Sequence, residues 1–426
     1  MISHASEPAC DRSFCRSISY DADDRYPAAL MTLLHDLAIL CDAIGIAGTV
    51  QAALGTLLVI RFRSNEKKAT TAYNRQPPVT ILKPLHGDEP LLAEALESFC
   101  TQDYPVFQIV FGVQRANDPA IEMVEHLQKR HPHIDMCLVI NGTQHGDNRK
   151  VGNLINMLPK ARYDLLVISD SDIHVSPDYL QQVVKKLVQP DTGLVTTIYA
   201  GLPASRNIPR LFAACQINHN FLPGVLLSRY LGRQDCLGAT MALSRTTLEQ
   251  VGGFQALVSH VADDAILGRL VRAHGQDISI AETMTWTTIA ETTFTDLLVH
   301  ELRWGRTVRA LAPAGYLASA IQLPLFWLSF AVLLQPHASA FLTFFLWGWA
   351  FRALCAFAMD RTVGQRSLLP LLLLPFRDWL SAAVMVGSMT GSRVDWRGHT
   401  MHVTSHPAVA PSVPPVGTPL SPNDGP

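Results

Sequence analysis

The stretch Leu165-Leu166-Val167-Ile168-Ser169-Asp170-Ser171-Asp172 is a short apolar run that ends in two carboxylates one residue apart. A brief apolar run bounded by polar residues is typical of a buried strand. Carboxylates with this spacing can converge on one divalent cation, because Mg²⁺ and Mn²⁺ prefer oxygen ligands. The stretch therefore predicts a sheet with a metal site, formed by Asp170 and Asp172, at the end of one strand.

Short apolar strands and amphipathic helices alternate around this run. The predicted strands are 79–82, 108–113, 136–140 and 165–169, and the predicted helices between them include 91–99 and 120–130. This alternation indicates an α/β fold with a mostly parallel sheet. Ligands of such sheets bind at the carboxyl ends of the strands, and polar residues follow each of these four strands. The pattern therefore predicts a nucleotide site at that edge.

The overall composition is too apolar for an ordinary soluble domain. Of 426 residues, 48% are hydrophobic and only 16% are charged, whereas about a quarter are charged in soluble domains. Residues 43–60 contain no formal charge, and 311–389 include three more apolar stretches. Residues 77–302 have a globular composition. We therefore expect one globular domain between membrane segments.

The charges beside the first apolar stretch predict the orientation. Basic residues follow it and acidic residues precede it, so the positive-inside rule places the middle domain in the cytoplasm at the inner (plasma) membrane. The predicted organisation is a disordered 1–30, a membrane anchor 31–62, a cytoplasmic domain 77–296, an interfacial amphipathic helix 297–312, membrane spans or re-entrant helices over 313–390, and a disordered tail 400–426.

Net charge argues against one class of partner. The formal net charge is −2, and the middle domain has no long run of Lys and Arg and no interleaving of basic and aromatic residues. We therefore expect no nucleic-acid binding.

A second acidic pair, Asp263-Asp264, precedes a helical pattern. Two acids at a helix start can be N-terminal caps. Alternatively, Asp264 can act as a general base whose pKa is set by burial and by Asp263. The local sequence does not separate these two interpretations.

The segment 297–310 combines Arg303, Arg306 and Arg309 with apolar residues that include Trp304. It predicts a basic amphipathic helix in the membrane interface, with a solvated helix face as the alternative. Arg303 could add positive charge beside a diphosphate, and Trp304 could form the floor of a sugar or acceptor site.

Three charged residues fall inside predicted spans, namely Arg352, Arg377 and Asp378. An unpaired charge there is costly, so each must find a partner, reach the interface or line a polar cavity. A mutual ion pair and a role in an acceptor site are both open interpretations.

Six motifs in order resemble the membrane-bound ceramide glucosyltransferase family and its bacterial relative, the hopanoid-biosynthesis glycosyltransferases. These motifs are Leu82-Lys83-Pro84-Leu85-His86-Gly87, Asn117-Asp118-Pro119-Ala120-Ile121, Asn148-Arg149-Lys150-Val151-Gly152-Asn153-Leu154, Ser169-Asp170-Ser171-Asp172, Val261-Ala262-Asp263-Asp264 and His300-Glu301-Leu302-Arg303-Trp304. The resemblance implies an inverting enzyme with a GT-A-type nucleotide-sugar fold, a UDP-sugar donor, a lipid acceptor and Mg²⁺ or Mn²⁺.

The resemblance also implies roles for individual residues on the donor side. Glu89 looks like the acidic position near the uracil, with Asp88 beside it. Further donor-binding residues implied in the same way are Asp118, Lys150, Asn153 and Asp170. Asp170 and Asp172 together look like the metal and diphosphate motif.

On the acceptor side, Asp264 matches the catalytic base, and Asp263 stands where the family usually has Glu. His300 replaces the Gln or Arg that opens the motif containing Arg303 and Trp304. The Asp-Ser-Asp triplet, the motif spacing and His300 look more like the hopanoid branch. The resemblance thus favours transfer of N-acetylglucosamine to bacteriohopanetetrol, with transfer of glucose to ceramide as the alternative. A non-catalytic membrane scaffold and a processive polysaccharide synthase are more distant alternatives.

Overall fold

The computed structural model describes residues 28–68, 76–391, 393–396 and 399–402. The predicted disorder of 1–30 falls almost entirely outside the described residues, as does most of the predicted tail 400–426.

An eight-stranded sheet forms the centre of the globular part, in the order β3-β2-β1-β4-β7-β6-β8-β5. Strands β1 to β4 are parallel to one another, and β6 is parallel to β8, whereas β7 is antiparallel to both β4 and β6 and β5 is antiparallel to β8. The predicted mostly parallel α/β sheet is confirmed. The strands are β1 Val79–Pro84, β2 Phe107–Val113, β3 Asp135–Ile140, β4 Leu165–Ile168, β5 Ile173–His174, β6 Thr192–Pro203, β7 Met241–Ser244 and β8 Asp277–Ile289, with a separate hairpin of β9 Arg393–Trp396 and β10 His399–His402.

Helices cover both faces of the sheet, because successive side chains of its central strands point to opposite faces and both faces are buried. Ile81 and Val167 face one apolar cluster, whereas Leu82 and Ile168 face the other, and all four are fully buried. The helices are α1 Ala28–Lys68, α2 Leu92–Cys100, α3 Ala120–Arg130, α4 Arg149–Met157, α5 Tyr179–Leu187, α6 Ile208–Cys215, α7 Leu222–Tyr230, α8 Arg245–Gln250, α9 Asp263–Ala273, α10 Phe294–Leu311, α11 Pro313–Ala318, α12 Pro324–Leu334, α13 Ser339–Val363, α14 Leu369–Leu372 and α15 Leu374–Ser388.

Two described helices are long and apolar enough to cross a membrane, over Ala29–Glu66 and Ser339–Val363. A third span is possible if Pro313–Gln322 and Pro324–Leu334, which meet at a 69° bend, count as one. The predicted anchor 31–62 lies within α1. The last of the three apolar stretches in 311–389 does not form one long helix, because it divides into α14 with 4 residues and α15 with 15, fewer than the ~20 that cross a bilayer.

Helix α10 coincides with the predicted interfacial helix and begins three residues earlier. A capping box fixes its start, because the Thr293 side chain accepts from the Asp296 N–H and the Asp296 side chain accepts from the Thr293 N–H. Its buried side carries Leu297, Glu301 and Gly305, spaced four residues apart. That spacing places them on one face of the helix.

The buried charges of the membrane region find partners on other elements. Arg377 donates to Glu301 of α10 at 2.7 Å and to Ser381 at 2.9 Å. Arg352 donates to the Asn220 side chain at 2.7 Å, within a π-helical turn, Gln216–Phe221, between α6 and α7. Asp378 accepts the Leu325 N–H at 2.9 Å. Arg377 is therefore hydrogen-bonded to α10, and Asp378 to the backbone of α12.

We predict that Arg377→Met destabilises the protein by about 3–5 kcal/mol, because the Glu301 carboxylate would stay buried without its cation. Thermal unfolding in detergent measures the effect. The control is Arg162→Met, which breaks an exposed pair with Asp135 and should cost at most about 1 kcal/mol. The double variant Glu301→Met, Arg377→Met should recover much of the loss, and equal instability of single and double variants would contradict this account.

Candidate active site

A cavity of about 1310 Å³ opens at the carboxyl ends of the parallel strands. Most of the residues predicted from sequence line it, although they come from five separate segments of the chain. They are Glu89, Lys150, Asn153, Asp170, Asp172, Asp263, Asp264, His300, Arg303 and Trp304. Asp88 and Asp118 do not line it.

The end of β4 delivers the first acidic pair to the cavity. Asp172 accepts a hydrogen bond from Thr287 of β8, and Ser171 between the two acids donates to Glu89. Burial first, and then the nearby Asp170 charge, raise the pKa of Asp172 to about 6. The loop after β1 and the end of β4 are therefore joined through Glu89, whereas Asp88 is exposed.

Lys150 links the first acidic pair to the second. Its ammonium lies 2.8 Å from Asp170 Oδ1 and 3.1 Å from Asp263 Oδ2. Burial alone would lower the pKa of Lys150, but the two carboxylates outweigh burial and raise it above its ordinary value. Asn148 caps the helix that presents this lysine and also donates to the His260 carbonyl at 2.7 Å, near the start of α9.

Asp263 and Asp264 are the first two residues of α9, and the capping position is Ala262, which has no side-chain cap bond. Their negative charges are favourable in the first turn of a helix. Asp264 also accepts the N–H of Ala265 at 2.7 Å, while it lines the cavity. Burial and the charge of Asp263 raise the pKa of Asp264 to about 6. The carboxylate is thus suited to accept a proton near neutral pH.

Gly238 lies between the two acidic pairs. An ideal β-carbon built on it would lie 3.1 Å from Asp264 Oδ2 and 3.7 Å from Asp170 Oδ2. The missing side chain therefore leaves room between the carboxylates for a ligand.

Helix α10 forms another part of the cavity wall. His300, Arg303 and Trp304 lie on one face because they are three and four residues apart. His300 hydrogen-bonds Glu291, and its ring lies edge-on to Trp304 at 5.2 Å between centroids. Burial opposes ionisation of Glu291, but the bond from His300 outweighs burial and lowers the pKa of Glu291.

Two predicted donor residues act on the backbone around the cavity. Asp118 accepts the N–H groups of Gly87 and Ala120, each at 3.0 Å, and so holds the turn that precedes Glu89. Asn153 donates to the Gly112 carbonyl at the end of β2, at 2.7 Å. Asp118 is therefore in a position to orient the loop after β1 that contains Glu89.

Lys83 is a site residue that was quoted only as part of a motif. It is fully buried, and its ammonium donates to the Asp170 carbonyl. Burial lowers the pKa of Lys83 to about 7, although Asp172, Asp170 and Glu89 all act against this change. The signal in the sequence was a lysine in a mostly apolar strand, because charged residues are rarely fully buried.

The donor set fits a divalent metal that is shared with a nucleotide. Among the described residues, no group of three or more His, Cys, Asp or Glu side chains is placed to hold a metal ion alone. Asp170 and Asp172 provide two carboxylates, and Mg²⁺ is commonly held by one or two carboxylates together with substrate phosphates. Asp170 Oδ1 is paired with Lys150, whereas Oδ2 lies on the side of Gly238, 3.7 Å from an ideal β-carbon there.

The profile of glycosyl transferase family 21 matches residues 40–409. This chain belongs to that family. The match covers the globular part, α10 and the membrane helices together, which agrees with the predicted resemblance to glycosyltransferases.

Curated relatives include "Ceramide glucosyltransferase 1" of Caenorhabditis elegans, 25% identical over 237 residues, or 56% of this chain and 51% of the relative. "Ceramide glucosyltransferase" of Komagataella phaffii is 37% identical over 114 residues, 26% of this chain and 22% of the relative. In the longer match, the chain spans about half the length of the curated relative. Among solved structures, a mannosyltransferase from Pyrobaculum calidifontis in complex with GDP-Man and Mn²⁺ has a TM-score of 0.44 at 22% identity, over 82% of this chain and 97% of that one.

We predict that Gly238→Ala lowers turnover by at least about tenfold, which corresponds to a barrier about 1.4 kcal/mol higher. The new methyl group would press on the Asp264 carboxylate, whereas the backbone there accepts alanine. The matched control is Gly152→Ala, whose β-carbon would meet its nearest neighbour at an ordinary 3.6 Å. Steady-state rates of the two variants, with melting curves to verify folding, check the prediction, and equal rates would contradict it.

Proposed function

We propose that this protein transfers a sugar from a UDP-sugar to a hydroxyl group of a membrane lipid, with inversion at the anomeric carbon and a GT-A-type arrangement. One observation carries the proposal: the carboxylates of Asp170 and Asp264 flank Gly238 in a cavity that α10 connects to the membrane helices. The family assignment supports glycosyl transfer as the reaction class.

In the proposed reaction, Asp264 removes the proton of the acceptor hydroxyl while the acceptor oxygen attacks the anomeric carbon. The bond from that carbon to the diphosphate oxygen breaks, and UDP leaves with the bonding electrons. A single displacement of this kind inverts the configuration. Asp263 and Lys150 hold the start of α9 against Asp170, so that the base lies beside the diphosphate site.

Positive charge must compensate the leaving diphosphate. Arg303 lines the cavity on α10, where a guanidinium can bind phosphate oxygens in bidentate fashion. A divalent metal held by Asp170 and Asp172 would add Lewis-acid stabilisation of the departing phosphates. Glu89 lies at the end of the cavity formed by the strand ends, which is where nucleosides bind in parallel α/β sheets.

Within this reaction class, we favour N-acetylglucosamine transfer from UDP-N-acetylglucosamine to bacteriohopanetetrol. The support is the Asp170-Ser171-Asp172 triplet, the motif spacing and His300. The second candidate is transfer of glucose from UDP-glucose to ceramide, and the printed names of the curated relatives favour it. The proposed location is the inner membrane, with the sheet domain in the cytoplasm, because basic residues follow the membrane part of α1.

A transfer assay on detergent-purified protein tests the proposal. UDP-glucose and UDP-N-acetylglucosamine are each combined with ceramide and bacteriohopanetetrol in Mg²⁺ or Mn²⁺, and lipid products are identified by mass. A product of N-acetylglucosamine on the hopanoid would support the favoured pairing, and glucosylceramide would support the second candidate. Absence of product from every pairing would count against both and favour the scaffold interpretation.

We predict that Asp264→Asn lowers turnover by about 10²–10⁴-fold, because an asparagine side chain cannot accept the proton. UDP-sugar binding should stay nearly intact, because asparagine has nearly the same shape as aspartate. Asp164→Asn is the control, since that carboxylate is exposed and lies before β4. In the unchanged enzyme, the base must be ionised, so the rate should rise with pH through about 6 and then level off. A variant whose turnover equals that of the Asp164→Asn control would refute the assignment of the base.

We predict that Asp170→Asn and Asp172→Asn each raise the Mg²⁺ or Mn²⁺ concentration needed for half-maximal donor binding. Asp172→Asn is the easier variant to interpret, because Asp172 is hydrogen-bonded to the neutral side chain of Thr287. Asp170→Asn would also remove the ion pair with Lys150. Titration of the metal against UDP-sugar binding provides the measurement. Metal dependence identical to that of the unchanged protein in both variants would contradict a metal site at this strand end.

A further inference from the structure

The turn that ends α7 carries two large side chains on the surface of the protein. Tyr230 and Leu231 are each 75% exposed, and neither lines the cavity. An arginine stands on either side of them in the sequence, Arg229 before and Arg233 after. A tyrosine and a leucine next to arginines are the residue types that occur where a protein meets the surface of a bilayer. We call residues 230–233 the α7 tip.

Hydrogen bonds hold the α7 tip in one backbone conformation. The Gly232 N–H donates to the Arg229 carbonyl and the Arg233 N–H donates to the Ser228 carbonyl, each at 3.0 Å. These two bonds form a Schellman motif, and Gly232 has the positive φ of 93° that the motif requires. The Arg229 side chain also donates to the Ile278 carbonyl near the start of β8. The exposure of the two apolar side chains is therefore a fixed feature of the fold.

The start of α7 packs on α1, which is long and apolar enough to cross a membrane. A β-carbon on Gly55 of α1 would lie 2.6 Å from the β-carbon of Pro223, so the two helices touch closely. Gly55 belongs to the uncharged stretch 43–60, and its neighbours Leu54 and Leu57 are 49% and 63% exposed. Exposed leucines on a membrane-spanning helix face lipid. The start of α7 is therefore level with the bilayer.

The rest of α7 runs beside the first half of the bent helix pair that begins at α11. Near the start of α7, a β-carbon on Gly224 would lie 2.6 Å from the Gln322 side chain. At its end, the Arg233 guanidinium lies 3.4 Å from an ideal β-carbon on Gly315. The two segments are thus antiparallel neighbours, and the α7 tip lies against α11, where Leu317 is 58% exposed.

The bend in this pair directs its first half along the membrane plane. The second half, α12, packs along α1, since β-carbons on Gly45 and Gly48 would lie 2.6 Å from Leu328 and 3.3 Å from Pro324. Helix α12 therefore shares the direction of the span. A bend of 69° turns the segment before α12 most of the way toward the plane. The α7 tip, beside that segment, lies along the bilayer surface.

We propose that the α7 tip is a membrane contact, in which Tyr230 and Leu231 enter the leaflet that faces the sheet domain. The partner is the phospholipid leaflet itself, at the boundary between headgroups and acyl chains, where interfacial segments bury apolar side chains about 5–10 Å deep. A tyrosine suits this depth because its ring is apolar and its hydroxyl polar, and Arg233 can keep its charge at the level of the phosphates. The tip holds the sheet domain to the membrane at a point separate from the spanning helices, whichever sugar and acceptor the enzyme uses.

Fluorescence quenching in the full-length protein tests this contact. The environment-sensitive amino acid Anap replaces Leu231 in phosphatidylcholine nanodiscs, and the quenchers are acyl-chain bromine atoms or aqueous iodide. We expect loss of fluorescence with lipids brominated in the upper part of the chain, a smaller loss with lipids brominated near its end, and little loss with iodide. The control is Anap in place of Val106, which is 45% exposed just before β2, four strands away from β8. Iodide and not bromine should quench the control.

Three results would overturn the proposal. Quenching of position 231 by iodide, as at position 106, would place the tip in water. Protection from both quenchers would indicate a protein contact instead, such as a second copy of this chain. Stronger quenching by bromine near the end of the acyl chain would place the tip too deep for an interfacial contact.

A second measurement needs no substitution, which matters because Anap is itself apolar. Hydroxyl radicals generated in water oxidise tyrosines that solvent reaches, and mass spectrometry locates the products. In nanodiscs, Tyr230 should be oxidised less than the half-buried Tyr163, although Tyr230 is the more exposed of the two in the protein alone. Greater oxidation of Tyr230 than of Tyr163 would refute the membrane contact. Neither measurement depends on turnover, so both remain decisive if the proposed transfer is wrong.

Discussion

The structure around the cavity depends on one buried ammonium group. Lys150 lies between Asp170 and Asp263, so a single cation joins the end of β4, the start of α4 and the start of α9. A buried cation with two carboxylate partners is stable only while both remain in place, because each charge would be costly to bury alone. The pair of acids that could hold a metal and the pair that contains the candidate base are therefore parts of one electrostatic unit.

Local features of the fold could be predicted from the sequence, and long-range ones could not. The strand at 165–168 was predictable because its apolar run, bounded by polar residues, has the length of a strand and is shorter than most helices. Most of the predicted site residues from Glu89 to Trp304 meet in one cavity, although Asp118 does not line it. Their partners were not predictable: Thr287 bonds Asp172 across 115 residues of sequence, and Lys83 lies behind Asp170 because β1 pairs with β4. No pattern within a single segment encodes such contacts.

In the membrane region, too, the sequence predicted the helices from their composition but did not predict the contacts between them. Hydropathy located α1 and α13, since a long apolar helix is identified by its length and composition alone. The partner of Arg377 could not be inferred from its neighbour Asp378, because the acid that Arg377 bonds is Glu301 of α10. Asp88 and Glu89, indistinguishable in the sequence, were separated by exposure: Glu89 lines the cavity and Asp88 faces solvent.

Helix α10 has two faces with different contacts, one that lines the cavity and one that packs on α15. Leu297, Glu301 and Gly305 pack on the protein side, while His300, Arg303 and Trp304 line the cavity. Each residue turns a helix by about 100°, so insertion or deletion of one residue after Thr293 would rotate both sets of side chains away from the surfaces that they contact. The number of residues between Thr293 and Trp304 is consequently as constrained as their identity.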